Sequence, residues 1–166
     1  MRLIIGFIAG MLAVLVFHQP VILLMSKIGM VPATAVVYNM APLPTAPAAL
    51  AEALKGYGLA GWPILFNNLF WGGLWGAVFG AIHSRIPGGL MLIKGLIFGI
   101  LLVILSNWLL LPFIRGTLLG MPNQTYFANA FAGGSFDYMR LVPGLLLQSA
   151  FGIGIGLFYS LMRRDA

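Results

Sequence analysis

The chain has 166 residues, of which 61% are hydrophobic and 7% charged; its mean hydropathy is +1.02 and its net charge +6. A soluble domain carries roughly a quarter charged residues, so a water-soluble globular fold is excluded and an integral membrane protein is expected. Cysteine is absent, which removes disulfides, thiolate nucleophiles and thiolate-held zinc or iron–sulfur sites.

Crossing a bilayer takes about 20 apolar residues. Four uncharged runs are long enough: Leu3–Ser26, Gly56–Ser84, Gly95–Ile114 and Leu141–Met162. They predict an all-α, polytopic fold with four transmembrane helices, over about 3–26, 61–84, 91–114 and 142–162, in a single membrane domain 1–166. Two longer segments, about 27–60 and 115–141, lie on one side. The basic residues sit at the ends of the runs, as topology signals do, and do not form a nucleic-acid footprint. Arg2, Arg85, Lys94, Arg163 and Arg164 fall on one side, and Lys27, Lys55, Arg115 and Arg140 on the other. This places both termini on the cytoplasmic side, of what reads as a bacterial inner membrane.

The first run has Arg2, an apolar core and "ATA" at Ala33–Ala35. These imitate a signal peptide, but the run is too long for one and is read as a retained span. In its middle, "AVLVFHQPVILLM" (13–25) holds His18, Gln19 and Pro20. Polar groups in hydrocarbon are costly and are satisfied within the bundle. Pro20 removes one helical hydrogen bond, which kinks the helix and leaves the Val16 carbonyl without a donor.

The segment after the first helix is Pro- and Ala-rich, with a short surface helix expected over about Pro47–Lys55. The second helix carries Asn67 and Asn68 and begins at Pro63, where a missing N–H costs nothing. Pro143 is expected to play the same part in the fourth helix. Trp62, Trp71 and Trp108 suit membrane-interface anchors. His83, at the end of the second helix, reads as a snorkelling interface residue. The third helix carries Asn107 and the fourth Gln148. The second long segment is aromatic and glycine-rich, with a glycosylation triplet at Asn123–Thr125; it suits interface seating or partner docking.

With a rise of about 1.5 Å per residue, His18, Asn67, Asn68, Asn107 and Gln148 all lie ~5–8 Å outward of the mid-depth of their helices. They form one polar layer in the outer half of the bundle, with Gln19 beside it. Small residues recur four apart in every helix: Gly6 and Gly10; Gly72, Gly76 and Gly80; Gly95 and Gly99; Gly152 and Gly156. This spacing lets helix backbones touch and predicts a tightly packed inner half.

The halves also resemble each other. "GFIAGMLAVLVFHQ" (6–19) aligns with "GLIFGILLVILSNW" (95–108), pairing Gly6 with Gly95, Gly10 with Gly99 and His18 with Asn107. "PILFNNLFWGGLWG" (63–76) aligns with "PGLLLQSAFGIGIG" (143–156), pairing Pro63 with Pro143, Gly72 with Gly152 and Gly76 with Gly156. A tandem repeat of two-helix hairpins, 1–84 and 91–166, is expected, related by a pseudo-two-fold along the membrane normal.

No carboxylate falls inside a span, since Glu52, Asp137 and Asp165 lie outside the runs. Metalloprotease, nucleophile-elbow and phosphate-loop motifs are absent. "GIGIG" (152–156) lies within a span and reads as packing. His18 and His83 differ in depth by ~20 Å, too far to ligate one haem. No catalytic residue, metal or cofactor is therefore expected. The sequence favours a non-catalytic accessory, assembly or stabilising subunit, acting through contacts with the lipid bilayer and with other membrane subunits or itself. The alternative is a small transporter, channel or lipid- or solute-binding protein using the polar layer.

Overall fold

The computed structural model describes residues 1–31, 37–41, 63–105 and 138–163, with side-chain surroundings from 141 onward in the last stretch. Asn107, Trp62, Trp108, the Pro47–Lys55 helix and most of the two long segments, with the glycosylation triplet, lie outside the described residues. All regular elements described are helical. They are α1 (Arg2–Ala13), a π-helical turn (Val14–His18), α2 (Gln19–Lys27), α3 (Ile64–Ile82), α4 (Met91–Leu102) and α5 (Tyr138–Arg163). α1, the π turn and α2 form one continuous span, and three spans (Arg2–Lys27, Ile64–Ile82 and Leu141–Arg163) are long and apolar enough to cross a membrane. The fourth expected helix is described over a shorter apolar stretch, Met91–Leu105.

Glycine decides how these helices pair. α1 and α3 run antiparallel: a Cβ added at Gly6 would strike the Gly76 carbonyl, one at Gly10 the Gly72 carbonyl, and one at Gly80 the Arg2 carbonyl. A Cβ at Gly76 would strike the Gly6 carbonyl and stand 2.8 Å from the Gly10 Cα. α4 and α5 repeat the arrangement, with Gly95 against the Gly152 carbonyl, Gly99 against that of Gln148 and Gly156 against that of Met91. In each case a Cα hydrogen replaces the side chain and faces a carbonyl, which gives weak Cα–H···O contacts in addition to dispersion.

The contacts revise the pairing of the halves. Gly6 meets Gly76, whereas Gly95 meets Gly152. By contact, Gly76 therefore corresponds to Gly152 and Gly80 to Gly156, one turn away from the alignment built on the prolines. The prolines mislead because they sit differently. Pro63 is the N-cap of α3, immediately before its first turn. Pro143 lies inside α5, whose helix already starts at Tyr138. The alignment of Gly6 with Gly95 pairs Val14 with Val103, and both positions open a π-helical stretch.

The hairpins meet mainly through α1 and the π turn against α5; among the described residues α3 and α4 lie farther apart. They approach at the end bearing the chain termini, where Phe79 and Phe98 rings lie 5.4 Å apart and Phe79 and Tyr159 rings 5.6 Å apart. Elsewhere glycine accommodates aromatic rings: Gly73 lies under Phe7, and Gly154 under Phe17. α2 stops in a Schellman arrangement. Gly29 takes φ +75, its N–H reaches the Ser26 carbonyl, and the Met30 N–H reaches that of Met25.

Gly76→Ala would press a methyl against backbone on two turns of α1, and no side chain can rotate away to relieve it. The expected loss is about 1–3 kcal/mol, read as a lower melting temperature in detergent. Gly89→Ala, with nothing within 4 Å and an ordinary φ, is expected to leave the melting temperature unchanged.

Candidate functional site

The π turn explains the polar residues in the first span. Its extra residue moves the hydrogen-bond register, so the Gln19 N–H donates to the Val14 carbonyl, five residues back. The buried stripe Ala9, Gly10, Ala13, Val14 consequently resumes at Gln19, and Gln19 points inward, 2% exposed. In the same register the carbonyl facing Pro20 is that of Leu15, where an unbroken α-helix would present Val16. The Leu15 carbonyl has a donor, the Tyr38 hydroxyl at 2.8 Å.

Tyr38 belongs to a short strap, residues 37–41. Its backbone N–H donates to Gln19 Oε1 at 2.9 Å, so one residue satisfies both the buried amide and the carbonyl stranded by Pro20. The strap also caps α3: the Ile64 N–H donates to the Ala41 carbonyl and the Leu65 N–H to that of Asn39. Asn39 Oδ1 accepts from the Ala41 N–H and tightens the turn. Tyr38 takes φ +53, unusual for a bulky residue, and it is held there from both sides.

A cavity of about 140 Å³ lies between the π turn, α3 and α5. Val14 and His18 of the π turn line it, together with Asn68, Trp71, Gly72 and Trp75 of α3 and Gln148 and Phe151 of α5. Three expected layer residues, His18, Asn68 and Gln148, therefore come together. Gln19 is bound by the strap instead, and Asn67 is buried on α3 without lining the cavity. The His18 ring meets Phe151 edge-on at 6.2 Å. Its Nδ1 is buried with no hydrogen-bond partner among the described residues, a deficit of about 1–3 kcal/mol that a bound donor or acceptor would relieve. A water occupies about 30 Å³ of liquid, so the space suits four or five waters or one small organic molecule. The lining offers amides, an imidazole and indole N–H groups but no formal charge, which matches a neutral polar guest better than an ion.

A second polar cluster lies at the opposite end, and here the sequence expectation is corrected. His83 does not snorkel: it is 2% exposed, packed 4.8 Å from the Tyr159 ring. Its Nδ1–H donates to the Gly80 carbonyl at 2.9 Å, and Nε2 accepts from the Arg163 guanidinium at 3.0 Å. Lys94 donates to the His83 carbonyl at 3.1 Å. The signal available in the sequence was a histidine one turn from Gly80 that could reach back to a carbonyl at the helix end. Among the described residues no three potential metal ligands cluster.

Burial holds the His83 pKa below its ordinary value of 6.5, and the Arg163, Arg2 and Lys94 charges act in the same direction against the Gly80 hydrogen bond. The unfolded chain therefore takes up this proton first as pH falls. Stability contributed by neutral His83 is complete above about pH 7 and declines on acidification through the ordinary histidine range. Melting temperatures across pH 8 to 5 are expected to fall less steeply in His83→Gln than in wild type. Tyr38→Phe removes only the hydroxyl bond to Leu15 and is expected to cost about 0.5–1.5 kcal/mol, measured by the same thermal assay. Compared with known protein families, curated proteins and solved structures, the chain matches none.

Proposed function

We propose that this chain is a small solute-binding membrane protein, a transporter or channel of simple build, whose site is the His18, Asn68 and Gln148 cavity. The observation that carries this reading is the convergence of those three side chains, from three separate segments, on one uncharged polar space of about 140 Å³. The preferred guest is a neutral polar molecule of about four to six heavy atoms.

The contact-only reading, an accessory or assembly subunit, rests on missing catalytic groups, on aromatic outer segments that lie outside the described residues, and on glycine faces available to a partner. Those faces are used inside the chain: Gly72, Gly76 and Gly80 against α1, and Gly95 and Gly99 against α5. This shifts the weight toward the cavity. The shared glycine contacts and the paired π stretches at Val14 and Val103 also support descent of the halves from one duplicated hairpin. Short basic connections favour cytoplasmic termini, with the strap and cavity toward the outside.

Guests this small bind weakly, since even the best tiny ligands gain about 1.5 kcal/mol per heavy atom at most. Millimolar affinity is expected. Acetamide, urea and glycerol are titrated into protein in lipid nanodiscs, with tryptophan emission as readout because Trp71 and Trp75 line the cavity. Saturation with one of them in wild type, lost in His18→Ala and Gln148→Leu at unchanged melting temperature, supports the site. Saturation that survives both substitutions removes it, and a lack of saturation with every probe returns the weight to the contact-only reading.

A further inference from the structure

At the end of the bundle carrying the termini, residues of α1, α4 and α5 and the residue that follows α3 form one basic cluster. Arg2 comes from α1, His83 from the residue after α3, Lys94 from α4, and Tyr159 and Arg163 from α5. We infer that this cluster binds the phosphate of an anionic phospholipid headgroup.

Four observations lead there. First, the cations are held in place by neutral groups: Arg163 by the His83 imidazole and Lys94 by the His83 carbonyl. Arg2 acts electrostatically on the same imidazole. Neither of these partners carries a charge. Second, the Tyr159 hydroxyl is buried with no hydrogen-bond partner among the described residues. It lies within electrostatic reach of Arg163 and Arg2, so the cluster includes a donor with no partner among the described residues as well as charge. Third, α1 and α4 both begin here without a side-chain cap, and uncapped helix starts present N–H groups and positive dipole to an anion. Fourth, the cluster sits at the ends of apolar spans, the depth at which lipid phosphates lie, and a guanidinium fork fits a phosphate in two-point contact. Basic residues that only set topology have no need to converge from three helices on one buried histidine.

The test uses the full chain in nanodiscs of phosphatidylcholine alone or mixed with phosphatidylglycerol, with native mass spectrometry counting lipids retained on the released protein. Wild type is expected to retain phosphatidylglycerol in preference to phosphatidylcholine. Lys94→Gln and Arg163→Gln should each weaken that preference about fivefold, while Arg85→Gln, which removes an exposed charge outside the cluster, leaves it intact. Melting temperatures of all variants in phosphatidylcholine identify any that simply fail to fold, and Lys94→Gln, on a half-exposed side chain, is the substitution least able to do so. Inorganic phosphate that competes off the lipid supports the phosphate site and adds a soluble source for its ligand. Equal retention of both lipids by wild type, or an Arg85→Gln loss as large as that of Lys94→Gln, overturns the proposal.

Discussion

In hydrocarbon, two helices gain little by burying apolar side chains against each other, because the lipid is equally apolar. What holds each pair here is direct approach of backbone to backbone, Gly6 to Gly76 and Gly10 to Gly72 in one hairpin, Gly95 to Gly152 in the other. Everything else is arranged around that contact. It fixes register to within a residue, since carbonyls face glycine Cα atoms at every turn. It also closes the half of the bundle nearest the termini, where no room remains for even one methyl. The cavity begins where the glycine register ends. Gly72 is the last glycine contact between α1 and α3 and also lines the cavity. Gln148 meets Gly99 with its carbonyl and also lines the cavity. Past these positions the facing residues are Val14, His18, Asn68 and Trp71, and the helices no longer touch through their backbones.

The polar half follows from a second constraint, that no backbone group in a membrane span goes unsatisfied without a large cost. Pro20 breaks the first span's ladder, and the π turn before it shifts the break to Leu15. The Tyr38 hydroxyl then repairs it, while the Tyr38 N–H binds Gln19. π turns often accompany functional sites because the extra residue turns a side chain onto a new face. Here it brings both His18 and Gln19 toward the interior, one to the cavity and one to the strap. The same strap caps α3, so the start of that helix and the π turn of the first span are tied into one hydrogen-bonded unit.

The end bearing the termini answers a different need. Its centre is a buried imidazole kept neutral among cations, with an aromatic floor of Phe79, Phe98 and Tyr159. The closed glycine seam separates this charged end from the uncharged cavity, so the two sites can meet different chemistries.

By itself the sequence determined the helical class and segments long and apolar enough to cross a membrane, and from it the four-residue glycine spacing and a shared depth for His18, Asn68 and Gln148 were expected. These are properties of composition and of the 1.5 Å rise per residue, which act along a single helix. The alignment of Gly6 with Gly95 rested on the local pattern that both helices carry. Tertiary structure alone decided the rest. The α3 and α5 register depended on which carbonyl each glycine faced, and matching Pro63 with Pro143 could not show that. Only Tyr38, 19 residues away in the chain, reveals how Gln19 and the Leu15 carbonyl are satisfied. His83 read as an interface residue because its partners Arg163, Lys94 and Tyr159 lie on other helices. Each of these facts is a contact between distant segments, and local periodicity carries no information about which segments meet.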